Sequence, residues 1–402
     1  MPSSPSQSSR GPWRNLHRWL GLFIGGWFAL VGLSGSILIF EDDIDAWLNP
    51  QLLTDIRSGA HLPPHAIVAR VADEFPLAKT ERIRPPTAPG EVYRITLRVA
   101  PHMRTGSPRT EAMFSAVSGE LLGAREADTI GITRAYWMRT LYEFHRNVLL
   151  GNFGSNIVGI AGFLLMTSAL SGFITAWPRN RSGWRRLVGV KLRAGLTRVL
   201  FDVHRSSGVI LFVLLMLATI TGSTLVYVNY ARDIVSVFSP VAPFPVIPWR
   251  ETPADNWPSF EQVTASVRKA YPQHEMVEIH IPSKPTAGYL FYLKRDGDVH
   301  RLGDTIVWVH PGSGEILFER SARNRTRGES VMHWLFPLHS GTAFGTAGKI
   351  AMCVTGLAML LMFPTGLWVW LRKRRAEQFE SARRTRLKTK PAVNDMRHGA
   401  LE

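Results

Sequence analysis

Four stretches of the chain contain no Asp, Glu, Lys or Arg, and these windows limit the possible folds more than any other feature. They are residues 19–40, 147–178, 206–231 and 350–371. At ~1.5 Å of rise per residue, a helix through each window could cross ~30 Å of hydrocarbon. A soluble globular enzyme is therefore excluded. Long polar stretches lie between the first and second windows and between the third and fourth.

The net charge of +16 is confined to three segments that adjoin the windows. Residues 1–18 and 178–198 contain basic residues and no acid, and residues 372–402 are strongly basic. Basic residues at the ends of spans follow the positive-inside rule, so they do not indicate a nucleic-acid partner. The pattern predicts four spans, with both termini and the 178–198 segment cytoplasmic and both polar regions on the outer side. The tail after Arg375 is expected to be solvated and disordered.

The predicted fold is an α-helical integral membrane protein whose four-helix transmembrane bundle arises from an internal duplication. Each polar region has helix and strand patterns, which predicts two α+β outer domains. The second span would be too long for one straight helix, so we expect either a break or a protruding helix around residues 151–154. The predicted segments are the N-terminus with span 1 (1–40), outer domain 1 (41–140), span 2 (141–178), a cytoplasmic loop (179–198), span 3 (199–230), outer domain 2 (231–335), span 4 (336–371) and the tail (372–402).

An internal repeat supports the duplication. His17 and Gly21 recur as His204 and Gly208, and the region around His145 recurs around His339. The outer regions repeat as well, with Ser-Gly-Glu turns at 118–120 and 313–315. The repeat relates two halves that each contain a span, an outer domain and a second span.

Four histidines occupy matched positions in this repeat, and the topology places them in two pairs. His17 and His204 begin the outward-going spans at the cytoplasmic face, whereas His145 and His339 precede the inward-going spans at the outer face. Two histidines at one depth on facing helices can bind one haem iron from both sides. The pattern predicts two haem sites per chain, although any single histidine at a membrane edge could instead be an ordinary interfacial residue.

Glycines and arginines accompany the histidine pairs. Counting along the helices places one glycine pair beside each haem, and a further pair four residues after His17 and His204 could face a porphyrin. Small residues for helix packing explain the glycines equally well. Arginines that follow three of the histidines could pair with haem propionates, although positive-inside anchoring explains Arg18 and Arg205 better when each is taken alone. The predicted cofactor-binding residues, besides the histidines, are Gly21, Gly208, Gly35, Gly222, Gly172, Gly366, Arg18, Arg205 and Arg146.

Several kinds of cofactor are excluded. The single cysteine, Cys353, leaves no intrachain disulfide, thiolate zinc site or iron–sulfur cluster. The motif for covalent haem attachment is missing, so the haem would be b-type. No G-x-G-x-x-G follows a strand, and no P-loop is present. The electrons would therefore come from another protein or from a membrane quinol.

The motifs resemble those of the PepSY-associated transmembrane family. They are His17-x-x-x-Gly21, Phe201-Asp202-x-His204-Arg205-x-x-Gly208, Trp177-Pro178-Arg179 and Leu338-His339-Ser340-Gly341. The resemblance implies a bacterial inner-membrane protein with two periplasmic PepSY-like domains. Its best-understood branch, the ferric-siderophore reductases, carries b-type haem in a four-helix membrane domain. By this resemblance His17, His145, His204 and His339 match the haem-associated histidines of the family.

The leading hypothesis is a di-haem oxidoreductase that passes electrons across the membrane to a ferric siderophore and releases Fe(II) for iron uptake. The candidate substrate contacts are His333, Trp334, Trp137 and Tyr142, and His333 could instead be a ligand. The alternative is a PepSY-type regulatory or binding protein, such as a protease inhibitor or sensor, without redox activity. A transporter is disfavoured because the spans contain no acidic residue in their interiors.

Overall fold

The computed structural model describes residues 11–99, 109–178, 183–184, 187–242, 258–282 and 288–388. Part of the predicted 179–198 loop and the end of the predicted tail therefore lie outside the described residues. The chain divides into two compact units. The first consists of Met1–Ala29, Thr167–Phe212 and Ala358–Glu402, and the second of Leu30–Met166 and Val213–Leu357.

Long apolar helices alternate with the shorter elements of a mixed helix and sheet region. The described helices are α1 Gly11–Leu38, α2 Glu41–Leu48, α3 Pro50–Leu53, α4 Pro64–Glu74, α5 Trp137–Asn147, α6 Gly151–Ala176, α7 Leu196–Ile210, α8 Phe212–Val226, α9 Val228–Phe238, α10 Phe260–Ala270, α11 Arg327–Ser340 and α12 Gly345–Lys388. The described strands are β1 Ala78–Arg84, β2 Tyr93–Val99, β3 Thr110–Phe114, β4 Leu121–Glu126, β5 Glu275–His280, β6 Tyr289–Lys294, β7 Thr305–Val309 and β8 Ile316–Arg320.

Three described helical segments are long and apolar enough to cross a membrane: Gly11–Leu38, Gly151–Ala176 and Thr342–Thr385. A fourth candidate exists if α7 and α8 are counted as one broken span. The described residues therefore contain the apolar helices that the charge-free windows predict. The third window is a bent pair rather than the single helix expected over residues 199–230.

Breaks also precede the second and fourth candidate spans. Helix α5 ends at Asn147, and Val148 and Leu149 then adopt positive φ angles of 52° and 64° before α6 begins. The expected break in the second span therefore exists, just before residues 151–154. A similar break separates α11 from α12, where Gly341 has φ 79°. The sequence analysis predicted no break in the fourth span.

Helix α12 continues to Lys388, so the expectation of a disordered tail directly after Arg375 is wrong. Residues 376–388 are mainly Ala, Glu, Gln, Arg, Leu and Lys, and they contain neither Gly nor Pro. These residue types have high helix propensity, so the helix extends beyond its apolar part. The first proline after this stretch is Pro391.

All eight described strands form one antiparallel sheet in the order β4-β3-β2-β1-β5-β6-β7-β8. Helices α4 and α10 cover one face of the sheet and contribute Ile67, Val71, Val263 and Val267 to its core. The two Ser-Gly-Glu segments form the β3–β4 and β7–β8 turns, as predicted. The sheet thereby joins the two polar regions that the sequence analysis treats as separate domains.

The seam between the two halves of the sheet is short. Strands β1 and β5 pair through only two residue pairs, Arg82 with His280 and Ile83 with Ile279. Buried Glu278 adds ion pairs across the seam, at 3.4 Å to Arg82 and 3.1 Å to Arg84. Burial alone would raise the pKa of Glu278, but His280, Arg82 and Arg84 outweigh it and lower this pKa to about 2.

We expect the seam to weaken in acid. Because the pKa of Glu278 is depressed in the folded state, its stabilising contribution is present above the ordinary glutamate pKa of 4.5 and disappears as the pH falls toward 2. Glu278→Gln should lower the free energy of unfolding at pH 7 and flatten its decline between pH 5 and pH 3. Chemical denaturation at several pH values would measure both effects. Equal acid sensitivity in the variant and the wild type would contradict this role of Glu278.

Candidate functional site

The four repeat-matched histidines form two close pairs, each within one unit. In the first pair, the ring centroids of His17 on α1 and His204 on α7 lie 6.0 Å apart. In the second pair, the centroids of His145 on α5 and His339 on α11 lie 6.2 Å apart. The structure thus brings together the same partners that the sequence topology paired.

Each histidine is held by a backbone carbonyl of a neighbouring apolar helix. In the first pair, Nδ1–H of His17 donates to Ser168 O at 2.9 Å, and that of His204 donates to Met362 O at 2.9 Å. In the second pair, His145 donates to Val31 O at 2.9 Å and His339 to Ala218 O at 3.2 Å. A carbonyl can only accept, so these bonds assign the proton to Nδ1 and leave the Nε2 lone pair free.

A glycine lies four residues after each of these carbonyls, at Gly172, Gly366, Gly35 and Gly222. In an α-helix the Cα–Cβ bond tilts toward the N-terminus, so the side chain at i+4 covers the carbonyl of residue i. Glycine leaves that carbonyl uncovered, and the histidine ring fills the space. A Cβ built on the glycine would lie 2.7–3.0 Å from Cε1 of the histidine.

The glycines therefore lie beside the histidine pairs to which residue counting assigned them. Gly172 contacts His17 and Gly366 contacts His204, whereas Gly35 contacts His145 and Gly222 contacts His339. Their missing side chains make room for the imidazoles themselves, a role that the sequence analysis did not assign. The other predicted glycines differ, since a Cβ on Gly21 would meet nothing within 4 Å and one on Gly208 would meet Met362.

Sequence reasoning also missed the hydroxyl residue that directly precedes each of the four glycines. These residues are Ser34, Ser171, Thr221 and Thr365. Ser34 and Ser171 donate to the carbonyl that accepts from the histidine. Thr221 and Thr365 share their hydroxyl hydrogen between that carbonyl and the preceding one. The signal was available, because aligning the four spans on their glycines places a Ser or Thr before every one.

The spacing of each pair would suit two imidazoles that hold one metal ion. Two metal–imidazole bonds of ~2 Å and two ring radii of ~1.1 Å would separate the ring centroids by ~6 Å. No hydrogen bond reaches Nε2 of these four histidines within the described part of the chain. The described residues also contain no group of three or more His, Cys, Asp or Glu that could hold a metal. A cofactor such as haem, which supplies its own equatorial nitrogens, matches a donor set of two imidazoles.

The three predicted arginines have different surroundings. Arg18 is exposed, with its guanidinium carbon 5.2 Å from the Trp19 ring centroid, and Arg146 is exposed without an ion pair among the described residues. Arg205 instead contacts Asp202 at 3.0 Å and donates to Leu187 O and Gly189 O. Arg205 thus connects the preceding loop to α7. Of the three predicted arginines, Arg18 and Arg146 remain available to pair with a propionate.

The candidate substrate contacts belong to α5 and α11. Trp137 and Trp334 are exposed. The guanidinium carbon of Arg139 lies over the Tyr142 ring, 5.6 Å from the ring centroid. His333 is already engaged, because its Nε2–H donates to Asp304 at 2.7 Å. An open cavity of about 200 Å³ on the sheet is lined by Glu81, Arg82, Thr96, Arg109, His280 and Ile281, and none of the four candidates lines it.

The His333 ring packs against a histidine that the sequence analysis did not single out as a candidate. The centroids of His333 and His300 lie 5.0 Å apart. Burial and the charge of His333 lower the pKa of His300 to about 4, so His300 is neutral at pH 7. Its Nδ1 accepts from Leu302 N–H at 3.2 Å, which places its proton on Nε2.

Comparison with known proteins agrees with the motifs. No curated protein matches the chain. One family model, described as the PepSY-associated TM region, matches residues 14–373 and confirms the resemblance seen in the motifs. With its apolar helices and antiparallel sheet, the chain belongs to this family of membrane proteins.

Proposed function

We propose that the chain is a haem-containing inner-membrane reductase that delivers electrons to a ferric siderophore in the periplasm. The observation that carries this proposal is the fourfold arrangement of histidine, helix carbonyl and glycine. It provides two pairs of imidazoles, each with a fixed tautomer and a free Nε2. Second-shell bonds of this kind orient metal-binding histidines and raise their basicity.

His17 and His204 would hold one haem, and His145 and His339 would hold the other. Both would be b-type, because the lone Cys353 cannot provide two thioether attachments. A bound haem would accept and release one electron at a time. The protein would fix the imidazole rings through Ser168 O, Met362 O, Val31 O and Ala218 O, and Arg18 and Arg146 are the residues free to neutralise propionates.

The proposed orientation follows from the charge distribution. Four spans from an internal duplication would place both termini and the basic 178–198 segment in the cytoplasm. The sheet would then lie in the periplasm, and it belongs to the same compact unit as the His145–His339 pair. A quinol or a cytoplasmic reductase would supply the electrons, with the first pair receiving them.

The proposed substrate is iron(III) bound by a siderophore. One electron reduces it to iron(II), which hard oxygen ligands bind less tightly, so the metal can leave. Trp137, Tyr142, Trp334 and His333 are the proposed contacts because α5 and α11, which carry them, also carry His145 and His339. A direct test is the reduction of ferric siderophores by the dithionite-reduced protein, with iron(II) trapped by a chromogenic chelator.

Haem content tests the proposal most sharply. We expect two haems per wild-type chain, measured by pyridine haemochrome and a reduced-minus-oxidised spectrum. His145→Ala with His339→Ala should remove one haem, and His17→Ala with His204→Ala should remove the other. His61→Ala is a control because His61 is exposed and belongs to neither of the two histidine pairs.

A colourless wild-type protein that gains no spectrum with added haem would refute the proposal and leave the regulatory alternative. Retention of two haems by either double variant would refute the pairing. In that case the two replaced imidazoles would be structural groups of the helix contacts.

A further inference from the structure

The hydroxyl group before each glycine bonds to a carbonyl of its own helix, and three of the four hydroxyl groups also contact a histidine. Each O–H donates to a carbonyl three or four residues earlier, as from Ser34 to Val31 O at 2.8 Å and from Thr365 to Met362 O and Leu361 O, both at 2.9 Å. Thr221 reaches Ala218 O at 3.3 Å and Leu217 O at 2.6 Å. The single hydroxyl hydrogen is therefore used within the helix itself.

Three of these hydroxyl oxygens also lie close to histidine Nδ1. The distances are 3.2 Å from Ser34 to His145, 3.1 Å from Thr221 to His339 and 3.3 Å from Thr365 to His204. Because the hydroxyl hydrogen points to the carbonyl, the oxygen can only accept from Nδ1–H. The Nδ1–H of each histidine thus lies between two acceptors, a carbonyl oxygen and a hydroxyl oxygen, in a three-centre bond.

The His17 site is the exception. Ser171 donates to Ser168 O at 2.8 Å, but the hydroxyl nearest to Nδ1 of His17 belongs to Ser168 itself, at 3.4 Å. In the first pair the hydroxyl oxygens therefore lie 3.3 and 3.4 Å from Nδ1, and in the second pair they lie closer, at 3.2 and 3.1 Å. The angles between the ring planes also differ, at 64° for His17 and His204 and 46° for His145 and His339.

We infer that Ser34, Thr221 and Thr365 are positioning residues that fix the planes of the histidine rings and so make the two haem sites spectroscopically different. This inference rests on the proposed function. A single acceptor fixes the direction of Nδ1–H only loosely, whereas two acceptors limit rotation of the ring about its Cβ–Cγ bond. The angle between two axial imidazole planes determines the splitting of the iron d orbitals, and therefore the low-spin resonance of the oxidised haem.

The test is electron paramagnetic resonance of the oxidised, haem-loaded full chain. Wild type should show two overlapping low-spin signals. Thr221→Val, which keeps the side-chain shape, should shift or broaden the signal of the second pair and leave that of the first pair unchanged. Thr221→Ser should restore the wild-type signal. Thr224→Val is the matched control, because among the described residues the Thr224 hydroxyl bonds only to Ile220 O of its own helix.

The outcomes distinguish a failure of this inference from a failure of the proposed function. If the wild type binds no haem, both fail. If it binds haem and Thr221→Val keeps the wild-type resonance, the proposed function stands and the positioning role is wrong. If Thr221→Val loses one haem, retention of that haem by Thr221→Ser supports the role of the hydroxyl. Loss in both variants would overturn it, since serine keeps the hydroxyl.

Discussion

Gly35→Ala is expected to remove the haem of the His145–His339 pair while the other haem stays bound. The new Cβ would lie 2.7 Å from Cε1 of His145, closer than real side-chain atoms approach. His145 cannot move aside without losing its bond to Val31 O, because that carbonyl is on the same helix as Gly35. The ring would therefore rotate away, and the 6.2 Å spacing between the His145 and His339 rings would be lost. Haem content and the reduced spectrum would show the loss.

Gly172→Ala should have the reciprocal effect, since its Cβ would lie 2.7 Å from Cε1 of His17. Leu30→Ala is the control on α1, because the Leu30 side chain is half exposed and removing it creates no such contact. The decisive result is selectivity, with each glycine variant losing its own haem. Two haems in both variants would mean that the glycines serve helix packing alone.

Gly348→Ala is expected to prevent folding or to cost more than ~3 kcal/mol of stability, a loss at the upper end for single substitutions. Its Cβ would lie 2.1 Å from Gly341 O, and a Cβ on Gly341 would lie 2.3 Å from Gly348 O. Both obstacles are backbone atoms, which cannot change rotamer to relieve the contact. The break between α11 and α12 would have to open.

The equivalent position in the first half is Gly154, whose Cβ would lie 1.8 Å from Asn147 O. Gly154→Ala should therefore behave like Gly348→Ala. Thr346→Ala, an exposed position near the start of α12, is the control. Yield of the monodisperse protein in detergent and its thermal unfolding temperature would measure the effect. Wild-type unfolding temperatures in both glycine variants would show that the two breaks do not require these close backbone approaches.

Charge alone predicted the apolar helices, because ionisable residues are costly inside a bilayer. The breaks were harder to predict. Val148 and Leu149 adopt a left-handed conformation that their side chains disfavour, so no local signal marks it. The bend at Leu211 lies in a window that contains no proline, and the nearest glycine is Gly208, three residues earlier. Such departures depend on tertiary contacts that local propensity does not encode.

Residue counting could also place Gly35 and Gly222 near one histidine pair and Gly172 and Gly366 near the other. It could not predict that each glycine contacts one particular imidazole, because this depends on which helices are neighbours and on the rotamer of the histidine. The β1–β5 seam could not be predicted from the sequence for a related reason. It pairs strands about 200 residues apart through two residue pairs, too little contact for sequence patterns to reveal.

The same seam has a consequence for biogenesis. Strand β1 can pair with β2 early, but its other edge finds β5 only when β5 has left the ribosome, about 200 residues later. At ~5–20 residues per second, the edge of β1 stays unpaired for ~10–40 s during translation. An unpaired strand edge can form hydrogen bonds with strands of other nascent chains. Chaperones that bind extended segments would therefore be most needed in the interval between translation of the two halves.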